Sequence, residues 1–128
     1  MERQEVYGVE PQTGTRVDFT AELGEWINFN PKSQGIQAFS LVKQDETLII
    51  HVSRVGLGED WGKTVLVPFF DNVGEKAFYA VYDRPHIKSY LTADLSRGLW
   101  SVVALHQIKD RSQPNFFTRE FYYQDLSD

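Results

Sequence analysis

The stretch LGEWIN, from Leu23 to Asn28, decides how the rest of the chain is interpreted. Gly24 allows the chain to turn sharply into a strand, and Trp26 follows two residues later on the same face of that strand. A large ring in this position can fill the narrow end of a closed β-sheet, where side chains must occupy the interior. The stretch therefore predicts a β-barrel whose floor contains Trp26.

A late arginine is the predicted partner of this tryptophan. Arg119 lies on the last strand that the sequence predicts, and its guanidinium is a candidate to stack on the ring of Trp26 as a cation–π partner. The combination of Gly-x-Trp with a late arginine resembles lipocalin-like barrels of the calycin type. This resemblance implies that Trp26 and Arg119 form the floor together.

Turn residues separate eight runs with strand character along the chain. The predicted strands are 26–30, 36–43, 47–55, 63–70, 77–83, 87–95, 99–108 and 116–123. Within 63–70, Pro68 indicates an edge or a bulge because it has no N–H to donate. About eight strands suffice to close an antiparallel barrel around one small ligand. The predicted fold is therefore all-β, an antiparallel up-and-down barrel of lipocalin-like architecture.

The length of 128 residues predicts a single domain. Residues 24–124 are expected to form the barrel, and residues 1–23 form a lead-in. Residues 6–9 are a candidate additional strand, and residues 18–23 are a candidate helical turn. This turn would cap the end of the barrel that Trp26 fills.

Composition restricts the classes of partner and of chemistry. The net charge of −5 disfavours nucleic acid and anionic membranes as partners, because both carry negative charge. The absence of cysteine excludes disulfides, a thiolate nucleophile and a zinc–thiolate site. The charged N-terminus lacks the apolar run of a signal peptide, and no segment has transmembrane length. We therefore expect a soluble cytoplasmic protein without a cofactor.

Several predicted strands are apolar on both faces. In a barrel with a solvated outer surface, apolar and polar residues should alternate along each strand. Residues 48–50 are apolar without interruption, and residues 99–105 carry bulky side chains on both sides. Part of the outer wall should therefore be covered, either by the N-terminal segment or by a second subunit. Of the two, a homodimer is favoured.

Spaced motifs between Gly24 and Tyr123 resemble a family of small uncharacterised bacterial proteins. In that family a G-x-W-x-N strand is followed by N/D-P-x-T-x-G-I, a histidine on a later strand and a D-W-G loop. The corresponding residues here are Gly24, Trp26, Asn28, Asn30, Pro31, Gly35, Ile36, Leu48, His51, Asp60, Trp61 and Gly62, with a closing segment at 110–121. Family members often place cysteines just before D-W-G, where this chain reads GLGE. The resemblance implies the barrel and its boundaries, and it implies no activity.

The leading functional hypothesis is non-enzymatic binding of a small apolar or aromatic ligand inside the barrel. A histidine can hold a polar group or a proton near neutral pH, and asparagine and serine add hydrogen-bonding groups. Aromatic walls with a few polar groups are typical of ligand pockets. The candidate ligand-binding residues are Trp26, Asn28, His51, Ser53, Tyr79, Tyr90, Trp100 and Arg119.

Each of these candidates also has a purely structural interpretation. His51 can be satisfied by a neighbour such as Asp60 or Tyr79, and Asn28 can bond neighbouring strands. The aromatic side chains can simply fill the barrel. Trp61 is either a lid over the barrel mouth or part of a turn in which Asp60 bonds local backbone amides.

Catalytic motifs are missing from the sequence. It contains no Gly-x-Ser-x-Gly elbow, no phosphate-binding glycine loop and no His-Glu-x-x-His, and its three histidines match no zinc signature. We therefore assign no catalytic residue and no metal ligand. Two alternatives stay open: an interaction module that uses the apolar outer wall, including Phe29, and an isomerase, lyase or hydrolase that uses His51 as a base.

Overall fold

Nine strands follow a short 3₁₀ turn in the computed structural model, which describes residues 17–126. The turn is Thr20–Glu22. The strands are β1 (Gly24–Asn28), β2 (Ile36–Gln44), β3 (Thr47–Val55), β4 (Gly62–Val65), β5 (Val67–Phe70), β6 (Lys76–Asp83), β7 (Ile87–Ser96), β8 (Leu99–Ile108) and β9 (Phe116–Gln124). The predicted strand at 6–9 lies outside the described residues.

All nine strands belong to one antiparallel sheet. Its order is β4-β3-β2-β1-β9-β8-β7-β6-β5, so all consecutive strands are neighbours except β4 and β5, and the first strand, β1, pairs with the last, β9. Ile27 of β1 lies opposite Tyr123 of β9 in this pairing. The predicted all-β, up-and-down antiparallel barrel is confirmed.

The sheet closes through a single stretch of chain that changes partners. The strand predicted at 63–70 is split at Leu66: β4 pairs with β3, and β5 pairs with β6. The Leu66 N–H still reaches the carbonyl oxygen of Leu48 at 3.0 Å. Pro68 lies in β5, the last strand of the sheet order, which confirms the predicted edge position. The two edges of the sheet are thus joined by continuous backbone.

Tyr82 seals the gap between these edges. Its hydroxyl oxygen accepts the Val52 N–H at 3.1 Å and donates to the carbonyl oxygen of Gly62 at 2.7 Å. Burial raises the pKa of Tyr82 to about 12, so the hydroxyl keeps its proton at any ordinary pH. The Tyr82 side chain of β6 therefore bonds backbone groups of β3 and β4 where β6 has no backbone pairing with either strand.

Aromatic side chains fill the interior near the floor. Trp26 lies 5.8 Å from Trp100 between ring centroids, and Trp100 lies 4.9 Å from Phe78. Phe39 packs edge-on to Tyr122 at 5.1 Å. The indole N–H of Trp26 donates to the carbonyl oxygen of Glu22 at 2.9 Å, so the 3₁₀ turn caps the floor as predicted.

The hypothesis of a ligand inside the barrel requires His51 and Ser53 to face the interior, and this orientation is wrong. Ile50 and Val52 are buried in the core, whereas His51 and Ser53 lie on the outer face. Along β9, Tyr122 likewise points inward and Arg119 points outward.

None of the helices within residues 17–126 has the length and hydrophobicity needed to span a bilayer.

Candidate functional site

Polar side chains face inward at the end of the barrel opposite the floor. His106 lies six residues beyond Trp100 on β8 and points to the same side of the sheet. Tyr82, Ser89 and His106 occupy neighbouring strands at one level, because Tyr82 pairs with Ser89 and Ser89 pairs with His106. Two loop residues join them and complete a group that we call the arginine cluster: Arg84, Trp61, Tyr82, Ser89 and His106.

Arg84 is the charged centre of this cluster. It directly follows β6, and its guanidinium carbon lies 3.8 Å from the centre of the Trp61 ring, a cation–π geometry. Its Nη2 group donates to the Ser89 hydroxyl oxygen at 2.5 Å. Burial lowers the pKa of Arg84 by penalising the charged form, and the negative charge of Glu59 opposes that effect. Arginine nevertheless keeps its proton at neutral pH.

Ser89 and His106 extend the hydrogen bonding from Arg84. The Ser89 oxygen lies 2.8 Å from Nδ1 of His106, and Ser89 is completely buried. Burial lowers the pKa of His106, and the positive charge of Arg84 lowers it further. The ring is therefore neutral near pH 7, and Nδ1 accepts the proton of a hydroxyl that itself accepts from Arg84.

Two hydrogen-bond donors in the cluster lack acceptors. Nε of Arg84 and Nε1 of Trp61 are buried and have no partner among the described residues. Nor does Arg84 form an ion pair within 4.0 Å with any carboxylate in the part of the chain that the structure describes. A buried donor without an acceptor is costly, so groups of this kind normally meet an acceptor. The cluster therefore presents two buried donors that have no acceptor among the described residues.

His51 belongs to a separate pair on the outer wall. Its Nε2 lies 2.9 Å and 3.1 Å from the two carboxylate oxygens of Asp60, and the Gly62 N–H donates to Asp60 at 2.7 Å. The Gly62 N–H, and then His51, lower the pKa of Asp60. Of the two candidate neighbours, Asp60 and Tyr79, the structure shows Asp60 beside His51, and Asp60 bonds a local backbone amide as the turn interpretation expects. This geometry leaves His51 facing away from the interior, where a base acting on a lumenal substrate would have to lie.

Only three of the predicted ligand-binding residues face the interior: Trp26, Asn28 and Trp100. The Asn28 amide serves the backbone, since it donates to the Ile36 carbonyl oxygen at 2.9 Å and accepts from the Asn30 N–H at 2.7 Å. The others lie on the outer wall: His51, Ser53, Tyr79, Tyr90 and Arg119.

The predicted cation–π pair of Arg119 and Trp26 is wrong, because alternation along β9 directs Arg119 outward. The cation–π contacts found within residues 17–126 are Arg84 with Trp61 and Lys88 with Tyr90. Arg84 and Ser89 belong to the cluster although no sequence motif predicts them as site residues. The sequence could have indicated His106, because it lies an even number of residues from Trp100 along β8 and therefore on the same face of the strand.

Two grooves lined by described residues lie outside the barrel interior. One lies at the loop between β8 and β9, at residues 107–115. The other, of about 270 Å³, lies on the outer face of β7, β8 and β9. No group of three potential metal ligands occurs within residues 17–126.

No family model, no curated protein and no solved structure matches this chain. The resemblance to the small bacterial family accordingly stays a prediction.

His106 predicts a pH dependence of stability. Because its pKa in the folded protein lies below the ordinary 6.5, the unfolded chain binds the proton more readily. The stability contributed by the neutral ring is complete above about pH 6.5 and is lost as the pH falls. We expect the free energy of unfolding to decline less steeply from about pH 7 to about pH 5 in His106→Gln than in the wild type. Urea titrations measure this slope, and an unchanged slope in His106→Gln would contradict the prediction.

Proposed function

We propose that this protein binds a small apolar or aromatic molecule that carries an anionic group, and that the arginine cluster receives this group. The observation that supports it is the pair of buried, unpartnered donors, Nε of Arg84 and Nε1 of Trp61, on two side chains that stack 3.8 Å apart. The proposal keeps the ligand class expected from the sequence. It moves the polar end of the site from His51 and Ser53 to Arg84.

Charge selects an anion over a neutral or cationic group. Arg84 is the permanent cation of the cluster, and His106 beside it is neutral near pH 7. A carboxylate could accept from Nε of Arg84, because guanidinium and carboxylate geometries match. The aromatic faces of Trp61 and Tyr82, with centroids 5.3 Å apart, would contact an apolar or aromatic body.

We propose binding without chemistry. Ser89 and His106 form a hydroxyl–imidazole pair, yet the Ser89 oxygen also accepts a hydrogen bond from Nη2 of Arg84, which makes it a poorer nucleophile. Within the described residues, no hydrogen bond joins His106 to a carboxylate that would orient the ring as a base. We read this pair as a support that fixes Arg84 in place.

Titration with benzoate, with benzamide as the uncharged analogue, tests the proposal. We expect benzoate to shift the indole N–H resonance of Trp61 saturably, and benzamide to shift it far less. Arg84→Gln should weaken benzoate binding by about 10- to 100-fold, since a charged hydrogen bond contributes about 1.5–3 kcal/mol. Arg54→Gln, an exposed arginine on β3, is the matched control and should bind as the wild type does.

Two results would overturn the proposal. One is the absence of any saturable Trp61 shift with benzoate and with the larger 1-naphthoate. The other is equal affinity of Arg84→Gln and the wild type, with circular dichroism showing that both are folded. Native mass spectrometry of the freshly purified protein adds a direct check, because a bound acid would appear as excess mass that is lost on denaturation.

A second candidate function is a protein-interaction role for the outer wall. It is supported by large apolar side chains that the barrel leaves exposed, such as Phe29 and Phe117. Phe29→Asp should then weaken association and leave benzoate binding unchanged.

We also propose a cytoplasmic location, which the cysteine-free composition supports. We further propose membership of the small bacterial barrel family, which the spaced sequence motifs support.

A further inference from the structure

The outer surface of β7, β8 and β9, which we call the β7–β9 face, is unusually apolar for a solvated wall. Its outward side chains line up across the strands: Tyr90 lies opposite Leu105, and Leu105 lies opposite Phe117. At the other end, Phe29 packs 5.5 Å from Tyr123. The large apolar residues of this face are Phe29, Tyr90, Leu105, Phe117, Phe121 and Tyr123, with exposed fractions between 36% and 62%.

The area of this face suits a dimer interface. A complete aromatic side chain presents about 150–250 Å², so these six residues together expose roughly 500 Å² of apolar surface. The largest apolar patch on a typical monomer is itself about 300–600 Å², and such patches are often functional. A stable dimer buries about 800 Å² on each partner, which this surface and the polar residues between its rows can supply.

Charges at the centre of the face are complementary to each other but do not meet. Asp94 lies on β7 opposite Ser101, and Arg119 lies on β9 opposite Val103, one level further along β8. Both line the outer groove of about 270 Å³. Neither forms an ion pair within 4.0 Å in the part of the chain that the structure describes. One acid and one base therefore flank β8 on either side, each without an opposite charge in contact.

This arrangement is self-complementary. A two-fold axis along β8 lays β7 of each copy over β9 of the other, as an isologous interface requires. Asp94 of one copy and Arg119 of the other are then offset along the strand direction by two residues, or about 7 Å. An arginine side chain can span this distance. Two such pairs form, related by the axis. A partner of different sequence would need its own acid and base at the same spacing.

We infer that the β7–β9 face is the interface between two copies of this chain, packed about a two-fold axis along β8. This inference does not depend on the proposed anion site, because the arginine cluster lies on the opposite surface of the sheet. Phe29, at the rim of the face, takes part in the same interface.

Sedimentation velocity of the full chain tests the inference. The wild type should sediment as a dimer at micromolar concentration, and Phe117→Glu should weaken the dimer at least tenfold, because it places a charge in an apolar contact. Leu57→Glu changes a fully exposed residue outside the face and should leave the dimer intact. A monomeric wild type, or a dimer that Phe117→Glu leaves unchanged, would overturn the inference and leave the face to a different partner.

Charge reversal tests the pairing and protects against a folding artefact. Asp94→Arg and Arg119→Asp should each weaken the dimer, since each brings like charges together across the axis. The double variant Asp94→Arg/Arg119→Asp restores both pairs and should recover most of the wild-type dimer. A double variant as weak as the single variants, with native circular dichroism, would overturn the proposed packing.

Discussion

Replacement of Trp100 by alanine is expected to remove most of the stability of this protein. Trp100 is completely buried, and its ring lies 4.9 Å from Phe78 and 5.8 Å from both Phe19 and Trp26. Removing a buried tryptophan side chain costs about 3–5 kcal/mol through lost transfer energy and the cavity that remains. The total stability of a domain is only about 5–15 kcal/mol. We expect Trp100→Ala to be partly unfolded or to unfold at much lower urea, as followed by far-UV circular dichroism.

Substitution of each floor tryptophan by phenylalanine gives a sharper comparison. The Trp26 indole N–H donates to the Glu22 carbonyl oxygen, whereas the Trp100 N–H has no acceptor among the described residues. Trp26→Phe therefore loses a hydrogen bond, and Trp100→Phe removes a donor that was already unsatisfied. We expect Trp26→Phe to cost about 1 kcal/mol more than Trp100→Phe. A larger cost for Trp100→Phe would mean that packing, and not hydrogen bonding, distinguishes the two positions.

The strands were predictable because their physical signals are local. The bounds of β3 and β8 match the predicted ranges, since turn residues end both runs. The direction of each face was not predictable in the same way. A shift of one residue moves every side chain of a strand to the other face of the sheet. In β3 the uninterrupted apolar run does not show which set of alternate residues faces the interior. Either face of β3 therefore fits the sequence, and the structure buries Ile50 and Val52 instead of His51 and Ser53.

The arginine cluster depends on contacts between distant parts of the chain. Trp61 precedes β4, Arg84 follows β6, and Ser89 and His106 lie on β7 and β8. Arg84, Ser89 and His106 belong to the continuous β6–β8 meander, but Trp61 joins them only because the barrel closes at Leu66. The change of partners at Leu66 was not predictable, since a continuous strand and a split strand have the same local pattern.

Removal of the Lys76 ammonium is expected to produce the second large loss of stability. Its Nζ atom lies 2.7 Å from a carboxylate oxygen of Glu22, whose side chain is 11% exposed. Glu22 belongs to the 3₁₀ turn, and its carbonyl oxygen holds Trp26. Lys76→Met leaves the carboxylate without its partner in a poorly solvated position, which costs about 2–4 kcal/mol. Urea unfolding near neutral pH measures this loss.

A double-mutant cycle separates this cost from the loss of the lysine side chain itself. Glu22→Gln/Lys76→Met removes both charges and should recover much of the stability lost in Lys76→Met, because no buried charge is left unpaired. The exposed pair of Lys109 and Asp83, at 2.6 Å, is the matched control. Lys109→Met should cost no more than about 1 kcal/mol, since water replaces the lost partner there. Equal losses in Lys109→Met and Lys76→Met would show that burial of Glu22 does not decide the effect, and that the turn is fixed to the barrel by packing around Trp26.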